Sequence, residues 1–177
     1  MPPRERILIA DDEANTLEGL RWALEGEGVE IATATDGEAA WEMIRSEPPD
    51  LLLTDLRMPR LDGMTLVRRV RESHPDTEVI VLTGHGTVES AVEAMKRGAV
   101  DYLIKPINIE ELRLTVRRVL GTARMRRENE DLRRQLDRKY GFENIIGESA
   151  AMQHVFQQIR QVAPTRASVL IQGESGT

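Results

Sequence analysis

The sequence predicts an α/β fold: a doubly wound sheet of five parallel strands, each followed by a helix. Three observations predict it. Apolar runs of strand length recur five times within the first 106 residues. Stretches whose apolar residues fall at helical spacing separate them. The third and fourth runs are apolar almost throughout, as strands covered on both faces are, and strands alternating with helices form a parallel sheet.

The elements follow in order. "RILIA" (6–10) is the first strand, and Leu17, Leu20, Trp22 and Leu24 then mark a helix in a polar background. "EIATA" (30–34) and "LLLT" (51–54) are the second and third strands. Leu66, Val67 and Val70 mark the helix before "EVIVLT" (78–83), and "YLIKP" (102–106) is the fifth strand. Five strands and five helices fill about 120 residues, so the first domain is placed at 1–120.

The fifth helix, starting at Ile109, does not stop there. No proline interrupts 109–140, and the composition is charged and helix-forming. Leu112, Val116, Val119 and Ala123 are spaced four, three and four apart, and Met125, Asn129, Leu132 and Leu136 repeat that spacing. The two sets are out of phase by about one residue near Gly121, where a helix interior least favours glycine. Such a seam predicts a coiled-coil linker over 109–140, with Asn129 as a polar core residue that sets register. The other reading is a single amphipathic helix lying on its own domain. "KYGFENIIGES" then breaks the helix, Ser149 caps another bearing Met152, Val155, Phe156 and Ile159, and "RASVLIQ" reads as a strand. Residues 141–177 are expected to be the opening of a second domain, too short to bury a core of its own.

Composition bounds the chemistry. The 177 residues are 40% hydrophobic but only 3% aromatic, so the core is built from aliphatic residues and methionine. There is no cysteine, which excludes disulfides, thiolate metal sites and a cysteine nucleophile. No run approaches the roughly 20 apolar residues of a membrane span, and "MPPRERILIA" has no signal-peptide pattern, so no membrane partner is expected and the location is read as cytoplasmic. The net charge of −6 is uneven: 15 basic and 23 acidic residues through Leu120, against 10 basic and 4 acidic between Arg113 and Lys139.

In a doubly wound sheet, ligands bind at the carboxyl ends of the strands. There the sequence puts Asp11, Asp12 and Glu13 after strand one, Asp55 after strand three, Thr83 after strand four, and Lys105 before Pro106 after strand five. Carboxylates crowded at one edge repel unless a cation neutralises them, and Mg²⁺, with oxygen ligands and several waters, needs only one or two of them. A lysine and a hydroxyl beside them suit the oxygens of a phosphoryl group, with Asp55 as the nucleophile that takes it. Each residue also has a plainer reading: the Asp pair as a helix cap, Asp55 as a turn residue, Thr83 as a cap, Lys105 as a surface charge.

The motifs "ILIADDE", "LLLTDLRMPRLDGM", "VIVLTGHGT" and "GAVDYLIKPI" resemble, in place and order, the receiver domain of two-component response regulators over residues 4–120. The resemblance implies a flavodoxin-like (CheY-like) fold. It implies that Asp55 accepts a phosphoryl group from a cognate histidine kinase, and that Asp12 binds Mg²⁺ directly. Asp11 supports the ion through water, Asp55 shares it, and the Arg57 backbone carbonyl is a further ligand. Lys105, joined to Pro106 by a cis bond, contacts the phosphoryl oxygens, and Thr83 and Tyr102 form the switch pair. The last 33 residues, ending "GESGT", are similar to the start of the AAA+ ATPase domain of NtrC-type, sigma-54-dependent activators. Gly173 and Gly176 would open a P-loop, yet its lysine and hydroxyl are absent from this chain. ATP therefore belongs to a longer protein, and the chain is read as a phospho-accepting regulator, not an enzyme. Sigma-54 RNA polymerase and DNA are expected as partners only through other domains, and a homodimer through the first domain and linker.

Three rival readings stand beside this one. A nucleic-acid module is suggested by "RMRR" and "LRRQLDRK", but Glu128, Glu130, Asp131 and Asp137 intersperse the basic residues as on the solvated flanks of a coiled coil. A carboxylate phosphatase needs a second acid two residues after Asp55, where Arg57 stands; His74, His85 and His154 form no metal signature. The third is a constitutive dimerisation scaffold whose pocket is unused.

Overall fold

The computed structural model describes residues 4–26, 28–84, 88–140, 149–163, 165, 168–170 and 172. Strands and helices alternate: β1 Arg6–Ala10, α1 Ala14–Leu24, β2 Glu30–Ala34, α2 Gly37–Ser46, β3 Leu51–Asp55, α3 Gly63–Ser73, β4 Glu78–Thr83, α4 Val88–Lys96, β5 Asp101–Ile104, α5 Ile109–Tyr140 and α6 Ala150–Val162. The five strands pair in parallel in the order β2-β1-β3-β4-β5. The order reverses at β1, so a crevice opens between β1 and β3 at their carboxyl ends.

The two-residue period of a strand divides the core between two faces. Ile7, Ile9, Leu51, Leu53, Ile80, Leu82 and Leu103 meet α1 and α5 on one side. Leu8, Ala10, Leu52, Val79 and Val81 meet α2, α3 and α4 on the other. Every residue of β3 and β4 is buried, which is why those two runs read as continuously apolar. Trp22 departs from the helix grouping that its sequence suggested: it is 66% exposed. Two residues past Leu20 it lies nearly on the opposite side of α1, and Ala23 takes the inner place.

Carboxylate caps start two of the helices. Asp36 accepts from the amides of Glu38 and Ala39 at the start of α2, and Asp62 from that of Thr65 at the start of α3. The cap position of α1 is Glu13, so neither Asp11 nor Asp12 occupies the place that the plainer reading gave them.

Helix α5 runs for 32 residues, about 48 Å at 1.5 Å per residue, straight through Gly121. Leu112, Val116, Val119, Leu120 and Ala123 are buried along its first half. Beyond them Arg126 pairs with Glu78 at 3.0 Å and lies 3.7 Å from Asp76, and Arg127 pairs with Asp50. The expected solvated flank is thus partly engaged: these two arginines hold the helix to the amino-terminal ends of β3 and β4. Met125, Asn129 and Leu132 of the second seam are exposed, and the burial of Leu136, its fourth member, lies outside what is described.

The chain divides into two compact units, Met1–Arg127 and Glu128–Thr177. In the second, Ser149 caps α6 by accepting from the Met152 amide, as its position predicts. The strand expected from "RASVLIQ" is corrected: residues 168–170 lie in no strand, with Val169 61% and Leu170 82% exposed. A strand persists only where a neighbour takes its backbone hydrogen bonds, and among the described residues none does. The expected helix break at 141–148, and Gly173 and Gly176, lie outside the described residues.

Leu53, fully buried in the central strand β3, is expected to be a principal stability residue. Leu53→Ala should lower the unfolding free energy by about 2–5 kcal/mol, and Ile31→Ala, in partly buried edge strand β2, by clearly less. Urea denaturation of both variants checks the ranking, and equal losses would contradict it.

Candidate phosphoryl-acceptor site

The crevice at the reversal point carries the carboxylates. β1 ends at Ala10, so the turn to α1 delivers Asp11, fully buried, then Asp12, exposed. β3 ends on Asp55, 8% exposed. One carboxylate oxygen from each of the three lies within 4.8 Å of the others. These are hard oxygen donors of the kind that a divalent cation such as Mg²⁺ prefers, and the donor set fits that ion.

Lys105 is the fixed cation of the group. Its Nζ donates to Asp11 Oδ2 at 2.7 Å and lies 3.6 Å from Asp55 Oδ1. The β4–β5 pairing sets that reach, since the Lys105 amide donates to the Thr83 carbonyl at 2.8 Å, and the Lys105–Pro106 bond is cis. Burial works to lower the Lys105 pKa, but the Asp11 hydrogen bond and the charges of Asp11, Asp55 and Glu13 outweigh it and hold the ammonium above its ordinary value. Asp55 is pushed up instead. Burial is the main cause and Asp11 adds to it, against the opposing pull of Lys105 and the amides of Leu56 and Arg57.

These residues line a cavity of about 350 Å³, to which Asp12, Asp55, Arg57, Thr83, Gly84 and Lys105 contribute. Thr83 is 3% exposed at the end of β4. Tyr102, expected as its switch partner, is not in this cavity. It is 38% exposed on β5 and lines a separate hollow with Val92 and Met95 of α4.

Sequence reasoning missed the support beneath the site. The loop from Leu56 to Asp62 returns so closely that a Cβ on Gly63 would overlap the Asp55 carbonyl, and one on Gly37 would overlap that of Leu61. The Gly63 amide donates to the Leu56 carbonyl at 3.0 Å. Arg60 takes a φ of 67°, the left-handed region that costs a side-chain-bearing residue about 1–2 kcal/mol. Its guanidinium pairs with Asp36, a carboxylate only 1% exposed. The "LDG" after strand three was a signal for the turn at Gly63, but no local pattern links Arg60 to Asp36.

The raised pKa of Asp55 has a consequence for stability. A carboxyl that binds its proton more tightly when folded stabilises the fold below its unfolded pKa, and that contribution is lost as pH rises through the folded value. At pH 7 the ionised Asp55 is therefore a burden on the metal-free protein. Asp55→Asn should stabilise that protein at neutral pH. The gain should shrink on acidification towards the ordinary carboxylate range, and a pH-independent gain in urea denaturation would contradict this.

Comparison with known proteins agrees with the geometry. Residues 7–117 match the family described as response regulator receiver domain, and residues 145–177 the sigma-54 interaction domain. The chain is 39% identical over 172 residues to the regulatory protein AtoC of Escherichia coli, covering 97% of this chain and 37% of that protein. It is 37% identical over 171 residues to the transcriptional regulatory protein ZraR of Escherichia coli, covering 97% and 38%. This chain thus spans well under half the length of these relatives. Among solved structures, NtrX from Brucella abortus superposes with a TM-score of 0.71 at 35% identity, covering 92% of this chain and 35% of that one. The signal receiver domain of a putative Luxo repressor protein from Vibrio parahaemolyticus gives 0.68 at 30% identity, covering 73% and 97%. The chain belongs to the response regulator receiver domain family, and its carboxyl-terminal residues match the sigma-54 interaction domain.

Proposed function

We propose that this chain is the phosphorylation-controlled switch of a two-component system, with Asp55 as the phosphoacceptor. The observation that carries the reading is the meeting of Asp55, Asp11, Asp12 and Lys105 at the carboxyl ends of the strands, with Asp12, Asp55 and Lys105 lining one cavity. An Asp55 carboxylate oxygen attacks the phosphorus of a phosphohistidine on the kinase. The new O–P bond makes an acyl phosphate as the P–N bond breaks. The imidazole nitrogen keeps the electron pair and takes up a proton. Asp11, Asp12, Asp55 and the Arg57 carbonyl would hold Mg²⁺, which when bound would supply charge neutralisation for the incoming phosphoryl oxygens. Lys105 exchanges its bond to Asp11 for one to a phosphoryl oxygen, and the Thr83 hydroxyl donates to another. Tyr102 then moves inward, which alters the surface of α4, β5 and α5.

Helix α5 is the output. It is one unbroken element from the sheet into the linker, and its exposed Met125 and Leu132 suit a dimeric seam with Asn129 in register. We read the linker as controlling assembly of a sigma-54 activator ATPase in the longer protein. Phosphorylation relieves repression there, ATP belongs to that protein, and its polymerase and DNA contacts come from other domains. The receiver itself carries no turnover. No helix among the described residues is long and apolar enough to cross a membrane, which suits a cytoplasmic regulator. The exposed seam equally serves the second reading, a constitutive dimer scaffold, because dimerisation through it needs no phosphate.

Incubation with Mg²⁺ and a small acyl phosphate, read by intact mass, distinguishes the two. The expected result is one added phosphoryl group, lost in Asp55→Asn and lost without Mg²⁺. A folded chain that gains no mass would leave the scaffold reading.

A further inference from the structure

We infer that Arg60 is a positioning residue for the metal side of the pocket, acting through its ion pair with Asp36; the inference rests on the function proposed above. The loop between Asp55 and Gly63 carries Arg57, which lines the cavity and whose carbonyl is the expected metal ligand. Its near end is tied to the sheet, since the Leu56 amide donates to the Leu82 carbonyl at 3.2 Å and the Leu56 carbonyl accepts from Gly63. Its far end is tied to a different element, the amino terminus of α2. There Asp36 is saturated. Its Oδ1 accepts from Glu38 and Ala39 at 3.0 and 2.9 Å, and its Oδ2 takes the Arg60 guanidinium. Gly37 lies against the Leu61 carbonyl, with no room for a Cβ between them.

Arg57 hangs between these two anchors. Among the described residues Arg60 alone, glycines apart, has a positive φ, a conformation that persists in a side-chain-bearing residue only where its surroundings over-determine it. The Arg60 side chain is 66% exposed and the Asp36 carboxylate is buried, so hydrophobic burial does not hold the arginine in place. The charge pair, with its buried acceptor already oriented by two amides, does so. Loss of the guanidinium frees the far anchor while leaving Asp11, Asp12 and Asp55 untouched. The group affected is the backbone carbonyl, and the affinity affected is that for Mg²⁺.

The test uses the whole chain and three variants. Arg60→Gly removes the pair while relieving the positive φ, Asp36→Asn keeps the α2 cap while removing the charge, and Arg60→Lys keeps the charge. Mg²⁺ affinity is measured by calorimetry, and amide exchange at Leu61 and Gly63 is followed without metal. Support for a shell outside the ligands is typically worth ten- to a hundredfold in metal affinity. Arg60→Gly and Asp36→Asn should therefore weaken Mg²⁺ binding roughly tenfold and speed exchange at both amides, with Arg60→Lys recovering most of the loss. The phosphorylation rate at saturating Mg²⁺ should stay near wild type. Unchanged affinity in Arg60→Gly overturns the inference, even if its unfolding midpoint falls, because the pair is then only structural. A wild-type chain that takes up no Mg²⁺ overturns the function reading itself. That failure shows in the first titration, whereas failure of the positioning role shows only in the variants.

Discussion

Asp11 and Asp55 are two buried carboxylates brought within ion-pair reach of one lysine, and much of the structure serves to hold them there. Left alone, like charges at this separation drive each other to neutrality or to water. Lys105 offsets part of the repulsion, bonded to Asp11 and 3.6 Å from Asp55. That arrangement requires the carboxyl ends of β1, β3 and β5 to lie along one edge of the sheet, with Asp11 and Asp55 in register. Parallel pairing in the order β2-β1-β3-β4-β5 achieves this, and burial of every residue of β3 and β4 holds the two central strands in place. The aliphatic core is therefore the rigid support of an electrostatic site that remains short of positive charge.

That shortfall suits the switch proposed above. Asp55, its pKa raised mainly by burial, is a carboxylate that gains from any partner bringing cationic charge or consuming its negative charge. Metal uptake and acyl phosphate formation both do so. Stability and reactivity are then opposed at a single residue, as at sites where a folded structure keeps local strain for function.

In the function proposed above, helix α5 is the route by which a signal leaves the domain. Helix α5 is packed through Ala123 and then held by Arg126 and Arg127 to Asp50, Asp76 and Glu78. The helix thus stays attached to the sheet for about a turn beyond its last apolar contact. On that reading, movement at the β4 and β5 ends would act on a helix attached to the sheet as far as Arg127. The basic stretch that suggested nucleic-acid binding serves in part as this attachment.

Periodicity alone was enough for the five strands, the helices between them and the sheet's two covered faces, because alternation and helical spacing are local properties that burial imposes on neighbouring residues. Asp11, Asp12, Asp55, Thr83 and Lys105 were legible for a related reason: strand ends can be read from the chain, and a doubly wound sheet brings those ends together. Trp22 was misgrouped because a polar background hides which side of a helix faces inward. Residues 168–170 of "RASVLIQ" form no strand because β-propensity has no effect without a partner, and none pairs with them among the described residues. Only the tertiary structure decided that Tyr102 stands outside the pocket, that Arg126 and Arg127 fold back onto the sheet, and that Arg60 is tied to Asp36. Each of these depends on a contact between residues distant in the chain, and a one-dimensional pattern does not encode which distant charge a side chain will meet.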